Sequence, residues 1–249
     1  MEAVRTPLQL EPERVTGVSG GALSAACFIG ECGRALLQNM GAAFDNVDSN
    51  VDLDGDEPGE GLTPHQTVYC QVVRETLHRE IEQKVAHGPQ FQVLLAHPPS
   101  QAHPKASTLP LSIVYWLDLQ IRSTPDLKFT QWVGLEQDMV DAREAARQGK
   151  LVDLICNAAV IPPVFNFRGW KGKKVIDGAM ACKAPLPNPD RGNTLILLTR
   201  RFRNLPNDSR RVYVEVSEET PADKLDFTDR KAIEATWEMG RRDGERFLE

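Results

Sequence analysis

Residues 15–26 of the chain read VTGVSGGALSAA, in which a short β-branched run leads into Gly-x-Ser-x-Gly and small residues follow at helical spacing. A strand, a tight turn and a helix in this order hold the central residue in a strained backbone conformation with its side chain exposed. Ser19 is therefore the candidate nucleophile, at a helix N-terminus that favours developing negative charge. A Gly-rich turn without chemistry fits the same letters. A phosphate loop fits less well, because no Lys follows the glycines.

The composition of the 249-residue chain is that of an ordinary globular protein, with 41% apolar residues, 26% charged residues and a net charge of −6. This length allows one large α/β domain or at most two small ones, and we expect a single domain over residues 1–249. The negative charge argues against a nucleic-acid partner, because no excess of Lys and Arg is available to replace counterions on phosphates. Lipids, small molecules and proteins remain as candidate partners, and the oligomeric state is left open.

The cysteines and the N-terminus bear on the cellular compartment. The five cysteines are Cys27, Cys32, Cys70, Cys156 and Cys182. Without a Cys-x-x-Cys pair they predict neither a disulfide framework nor a zinc ribbon, and a reducing compartment fits them better. The N-terminus has no apolar signal-peptide core, and no run of about 18 apolar residues occurs. We expect a soluble, cytoplasmic protein without metal or cofactor, and a membrane surface is a further candidate partner.

Hydrophobic periodicity predicts elements elsewhere in the chain. A helix is predicted from the Gly-x-Ser-x-Gly turn to about Met40, a strand over residues 91–96 and a helix over residues 138–156. A closing helix is predicted to begin at Thr228, whose hydroxyl would cap it. The range 44–130 is predicted to be a variable cap or insertion, and it includes an apolar element at residues 111–121.

An acidic stretch at residues 45–61 has seven acids and no base, which predicts a solvated loop. A calcium loop is the alternative, but the closing position that should carry a bidentate Glu is then occupied by Gly61. The other residues that align with this loop are Asn50, Asp52, Asp54 and Gly55. The solvated loop is the better interpretation.

A serine hydroxyl needs a base to accept its proton. All five histidines lie between His65 and His103, and none follows Asp177, so the order Ser, acid, His of α/β-hydrolases is not met. His97 and His103 fit an order Ser, His, Asp, but both lie in a Pro-rich segment. The simpler hypothesis is that the carboxylate of Asp177, which follows a β-branched run, takes the proton directly. Such a base must be largely buried, so that its pKa lies closer to the working pH.

Three ordered motifs resemble those of the patatin-like acyl hydrolases and phospholipases. They are Gly17-Val18-Ser19-Gly20-Gly21-Ala22, the Pro-Pro segment over residues 158–165, and Asp177-Gly178-Ala179. The resemblance implies a three-layer α/β/α fold with a mostly parallel central sheet, and a Ser-Asp dyad that cleaves acyl esters of lipids. It also implies that Ser19 is the nucleophile, Asp177 the base and the Gly20 N–H an oxyanion donor. The remaining motif residues are Gly17, Gly21, Gly178 and Ala179.

One feature that the resemblance implies is not found in the sequence. The family has a Gly-rich oxyanion loop one βα unit before the nucleophile, and a βαβ unit needs about 30 residues. Only 18 residues precede Ser19, and Gly17 is their single glycine. We therefore expect impaired hydrolysis. The alternative function is a catalytically inactive patatin-like domain that binds lipid or another partner.

Two basic clusters are candidates for contact with anionic head groups, and solvated loops are the simpler interpretation of both. The clusters are Arg168, Lys171, Lys173 and Lys174, and Arg200, Arg201, Arg203, Arg210 and Arg211.

Overall fold

The computed structural model describes residues 2–50, 64–105, 107–108, 110, 124–125, 135–162 and 164–249. Its strands are β1 (Arg14–Val18), β2 (Gln90–Ala96), β3 (Gln137–Asp141), β4 (Arg168–Trp170), β5 (Lys173–Asp177), β6 (Thr194–Leu197) and β7 (Arg211–Val214). Its helices are α1 (Glu2–Arg5), α2 (Gly20–Gly30), α3 (Gly33–Phe44), α4 (His65–Thr76), α5 (Arg79–His87), α6 (Ala142–Arg147), α7 (Leu151–Asn157) and α8 (Arg230–Arg246). A short 3₁₀ helix, Gly178–Met180, follows β5.

The main sheet is organised around β2. β1 runs parallel to β2 along residues 90–94, and β3 pairs antiparallel along residues 92–96. β5 also pairs antiparallel with β2, but only at Leu95 and Ala96. A strand has two edges, and β3 occupies one of them, so β1 and β5 share the other edge end to end. β4 extends the sheet from β5 as an antiparallel hairpin.

Each face of β2 packs into a different hydrophobic core, because successive side chains point to opposite faces. Phe91, Val93 and Leu95 belong to the larger core, which α2, α4, α5, α6 and α7 also line. Leu94 and Ala96 belong to a smaller core that includes the 3₁₀ helix after β5. The predicted three-layer α/β fold is confirmed. Its sheet is parallel at the β1–β2 core and mixed overall, since β3, β4 and β5 pair antiparallel.

Several predicted elements differ in their boundaries. The helix after Ser19 breaks at Glu31, which adopts a left-handed conformation with φ 57°, so α2 and α3 replace one helix. The segment predicted as a helix over residues 138–156 begins instead as β3, because β2 has a second edge that needs a strand partner. The closing helix is capped by Asp229, whose carboxylate accepts from the Ala232 N–H at 2.9 Å, and not by Thr228.

The predicted cap range contains elements of the main core. α4, α5 and β2 all fall within residues 44–130, and each contributes side chains to the larger hydrophobic core. The calcium-loop candidates Asp52, Asp54, Gly55 and Gly61, and the apolar element at residues 111–121, lie outside the described residues. A variable cap over residues 44–130 and a single domain over residues 1–249 both stay predictions.

Beyond the main sheet, β6 and β7 form a separate two-stranded parallel sheet, and α8 packs against α3 and α1. None of the helices in the described part of the chain is long and apolar enough to cross a membrane.

Candidate active site

Ser19 is the single residue between the end of β1 and the start of α2. Its backbone has φ 54° and ψ −136°, a conformation that costs a non-glycine residue about 1–3 kcal/mol and that clusters at functional sites. Ser19 occupies the N-cap position of α2, yet its side chain makes no capping hydrogen bond. The Ser19 hydroxyl is therefore not used to hold the helix end, as a serine at this position usually is.

The glycines around Ser19 fall into two kinds. A Cβ atom on Gly17 would lie 2.6 Å from Ala22 Cα and 2.8 Å from the Gly21 carbonyl oxygen, so the first turn of α2 packs directly on the Gly17 backbone. At Gly20 and Gly21, by contrast, a Cβ atom would meet nothing within 4 Å among the described residues. Gly17 is thus required for packing, whereas Gly20 and Gly21 border open space beside Ser19.

Asp177 ends β5 and is fully buried, with 0% of its surface exposed. Its backbone N–H donates to the Val160 carbonyl at 2.8 Å, and its Oδ1 atom accepts from the Ala179 N–H at 2.8 Å. The chain turns into the 3₁₀ helix directly after Asp177 and passes close to β2 there. Only glycine fits at position 178, because a Cβ atom would lie 2.4 Å from the Leu94 carbonyl oxygen. The Asp-Gly-Ala motif therefore fixes the position of the carboxyl group against β2.

The register of the sheet brings Ser19 and Asp177 together. Val18, the last residue of β1, pairs with Leu94, and Asp177 pairs with the next residue, Leu95, on the same edge of β2. Ser19 and Asp177 are therefore neighbours at the junction where β1 gives way to β5. The Ser19 hydroxyl lowers the pKa of the Asp177 carboxyl, although Asp177 Oδ2 has no hydrogen-bond partner of normal geometry among the described residues. The two groups are adjacent without a well-aligned hydrogen bond between them.

A family model described as patatin-like phospholipase matches residues 2–188, about three quarters of the 249-residue chain. The chain belongs to the patatin-like phospholipase family. The matched range includes both Ser19 and Asp177. No curated protein and no solved structure gives a significant match to the chain.

In this patatin-like chain the environment of Asp177 raises its pKa from an ordinary value of 3.8 to about 6. Burial is the main cause, because a carboxylate loses its hydration inside the protein. The Ser19 hydroxyl, the Ala179 N–H and the positive charge of Lys224 act in the opposite direction. The carboxyl group is consequently ionised at neutral pH, and its pKa is close enough to neutral pH for the carboxylate to act as a base.

Two further residues interact electrostatically with Asp177, and the sequence motifs point to neither. Tyr69 on α4 has a buried hydroxyl without a hydrogen-bond partner in the described residues. Its pKa is raised first by burial, then by the thiols of Cys156 and Cys70, and then by Asp177. Surrounding protein atoms reduce the hydration of the Lys224 amino group and lower its pKa to about 8, although part of the residue is exposed to solvent. Both residues come near Asp177 only through the tertiary fold.

The two histidines of the alternative order lie in different surroundings, since His97 is buried and His103 is exposed. His97 Nδ1 lies 3.0 Å from the Lys174 carbonyl oxygen, and His65 Nε2 lies 2.7 Å from the Leu225 carbonyl oxygen, so backbone groups engage both buried rings. No group of three or more His, Cys, Asp or Glu side chains that could hold a metal ion occurs in the described residues.

Proposed function

We propose that this chain hydrolyses carboxylic esters of lipids through an acyl-enzyme, with Ser19 as the nucleophile and Asp177 as the general base. The observation that carries the proposal is the juxtaposition of a serine at φ 54°, whose hydroxyl caps no helix, with a fully buried carboxyl group. Membership of the patatin-like phospholipase family supports an ester of a lipid as the substrate. A small ester is an alternative substrate.

The two carboxylate oxygens of Asp177 suit different tasks. Oδ1 accepts from the Ala179 N–H, whereas Oδ2 has no partner of normal geometry in the described residues. In the proposed first step Ser19 Oγ attacks the ester carbonyl carbon, and its proton passes to Oδ2 of Asp177. The tetrahedral intermediate then expels the alcohol, which receives this proton. Water attacks the acyl-enzyme in the second half, losing a proton to Asp177, and the fatty acid leaves as Ser19 regains its hydrogen.

The negative charge of the intermediate needs hydrogen-bond donors. In the described residues adjacent to Ser19, the available donors are the Gly20 N–H and the other unpaired N–H groups at the N-terminus of α2. Each additional oxyanion donor is worth about 10²–10³ in rate. We therefore expect slow turnover of a short-chain nitrophenyl ester, below the usual range of about 1–10³ s⁻¹.

Covalent labelling tests the role of Ser19 without depending on fast turnover. A fluorophosphonate probe should label the unmodified chain, and Ser19→Ala should abolish labelling because the attacking oxygen is gone. Ser24→Ala is the matched control, since Ser24 is an exposed serine on the same helix. Labelling that survives in the Ser19 variant, or that disappears in the Ser24 variant, would remove Ser19 from the proposed role.

A domain that binds lipid without hydrolysing it is the second candidate, and the small number of oxyanion donors that the described residues place beside Ser19 favours it. Attraction of the basic clusters to anionic head groups is a weaker argument for this candidate, because three of the clustered arginines already interact with partners in the protein. Arg168 donates to Cys70, and Arg210 and Arg211 pair with Asp190 and Asp208. Binding to anionic vesicles without release of fatty acid would favour this candidate. Affinity that does not fall with added salt would exclude the electrostatic mechanism.

A further inference from the structure

Two cysteines and an arginine meet in the larger core, on elements that pack against one another. Cys70 lies on α4 and Cys156 on α7, two helices that pack together, and the two thiols lie close enough to shift each other's pKa. The guanidinium group of Arg168, on β4, donates to Cys70 Sγ at 3.1 Å and also bonds Cys156. Cys70 is 6% exposed and Cys156 2% exposed. The half-buried guanidinium group of Arg168 therefore lies beside both buried cysteines.

The proton of this cluster is shared unequally between the two sulfur atoms. The hydrogen bond from Cys156 and the positive charge of Arg168 lower the pKa of Cys70. The same hydrogen bond, together with burial, raises the pKa of Cys156. Cys70 is thus the cysteine of the pair that more readily loses its proton, and Cys156 the one that more readily keeps it. A thiolate stabilised by a cation is the reactive form of cysteine.

We propose that Cys70 and Cys156 form a reversible oxidation site, which a small peroxide such as hydrogen peroxide converts into a disulfide. In the first step the Cys70 sulfur attacks one peroxide oxygen, the O–O bond breaks, and Cys70 becomes a sulfenic acid while the second oxygen leaves as water after taking up a proton. In the second step Cys156 attacks the Cys70 sulfur, the S–O bond breaks, and a second water leaves. The two cysteines are oxidised by two electrons, and the peroxide is reduced.

Oxidation of Cys70 also prepares Cys156 for the second step. The group that raises the pKa of Cys156 most is Cys70, and a sulfenic acid at that position no longer carries the thiolate charge. Arg168, which contacts both sulfur atoms, then remains to stabilise negative charge on Cys156 alone. Peroxide is small enough to approach a sulfur with little exposed surface, whereas a bulky disulfide reagent is not.

The disulfide would join α4 to α7 next to Tyr69, the residue that precedes Cys70 and interacts electrostatically with Asp177. The proposal nevertheless stands apart from the hydrolytic function, because its chemistry uses neither Ser19 nor Asp177.

Mass spectrometry after treatment with equimolar hydrogen peroxide tests the pair. We expect a Cys70–Cys156 disulfide that thiol reductant reverses, and in Cys156→Ser a sulfenic acid on Cys70 that a cyclic dione traps. Cys182 is the internal control, because it is the most exposed of the five cysteines. Oxidation that begins at Cys182 and leaves the Cys70–Cys156 pair reduced would mean that exposure alone governs reactivity, and it would overturn the proposal.

Two substitutions of Arg168 test whether its positive charge speeds the oxidation of Cys70. Arg168→Gln should slow the oxidation of Cys70 about tenfold, because the thiolate loses its cation, and Arg168→Lys should retain most of the rate. The lysine variant also serves as the check on folding, since it keeps a long cationic side chain. Equal rates in the unmodified chain and both variants would show that Arg168 does not activate Cys70, and the proposal would fail.

Discussion

At the scale of single residues, the Asp177 carboxyl group is fully buried, and among the described residues it has one hydrogen bond of normal geometry, from the Ala179 N–H to Oδ1. The free energy of such a group depends on its charge, because ionisation inside the protein loses hydration without full compensation. Ser19 carries a second strain, in its backbone at φ 54°. The strained backbone of Ser19 and the buried carboxyl group of Asp177 both cost stability. Such costs are expected at functional sites.

The pH dependence of labelling follows from the pKa of Asp177. A base must be ionised to accept the Ser19 proton, and the Asp177 carboxyl loses its own proton at about pH 6. The rate of fluorophosphonate labelling should therefore rise between about pH 5 and pH 7 and then level off. Measurement of labelling rates from about pH 4.5 to pH 8 checks this expectation. A rate that is flat over this range, or that falls, would exclude Asp177 as the base.

Asp177→Asn should stabilise the fold at neutral pH. Folding raises the pKa of Asp177 from 3.8 to about 6. Between these two pH values the native chain keeps a proton on Asp177 that the unfolded chain has released. Stability therefore falls as pH rises through the window, and above it the loss reaches about 3 kcal/mol. Asn removes this penalty, so urea unfolding at about pH 8 should show a gain of up to about 3 kcal/mol that disappears near pH 3.5.

The control for this measurement is Asp138→Asn, because Asp138 is an exposed carboxyl group on β3. It should change the free energy of unfolding by less than about 0.5 kcal/mol at either pH. A loss of stability in the Asp177 variant at pH 8 would contradict the assigned pKa.

At the scale of elements, the site is built from two strand ends that turn away from β2 at neighbouring positions. Each turn depends on a glycine whose backbone is in close contact with another element. Gly17 lies against the first turn of α2, and Gly178 lies against the Leu94 carbonyl of β2. Local sequence predicts such turns well, because a position that has no room for a side chain must be occupied by glycine, and glycines are visible in the sequence.

Gly17→Ala should destabilise the protein by about 2 kcal/mol or more. The added Cβ atom would lie 2.6 Å from Ala22 Cα, and backbone atoms cannot move aside as a flexible side chain can. Gly21→Ala is the matched control in the same motif, since its Cβ atom meets nothing within 4 Å. The control should be neutral or gain up to about 1 kcal/mol, because Ala favours helix. Thermal or urea unfolding measures both, and equal effects would argue against the packing of α2 on β1.

At the scale of the whole molecule, the chain beyond the family match packs on the matched part. The Phe227 ring stacks on Phe44 at 4.9 Å between ring centroids and contacts the His65 ring at 4.5 Å. The Leu225 carbonyl oxygen accepts a hydrogen bond from His65 Nε2 at 2.7 Å, and Arg230 pairs with Asp45. Residues 225–230 thus connect the closing helix α8 to the ends of α3 and α4.

Phe227→Ala should lower the free energy of unfolding by about 2–3 kcal/mol, because Phe44 and buried His65 lose the ring that packs on both of them. Phe247→Ala is the matched control, since Phe247 follows α8 and is 38% exposed. The control should lose less than about 1 kcal/mol. Urea unfolding compares the two variants, and a similar small effect in both would mean that residues 225–230 contribute little to the stability of the fold.

The sequence alone predicted the candidate residues Ser19 and Asp177 and the local shape of the turns that carry them. Small residues around Ser19 and the Gly after Asp177 require tight turns wherever they occur, so these features could be predicted without knowledge of the fold. The strand at residues 91–96 was also predicted, because alternation and β-branching are local properties. The strand β3 was missed for the opposite reason, since its conformation depends on pairing with β2.

Only the tertiary structure decided which distant residues meet. Ser19 and Asp177 are neighbours because β1 and β5 share one edge of β2, and strand register depends on hydrogen bonds between segments far apart in the chain. The same holds for Tyr69 and Lys224 near Asp177, and for Cys70, Cys156 and Arg168. Periodicity and motifs record the preferences of a segment. A contact between segments arises only when packing and burial select one arrangement for all of them together.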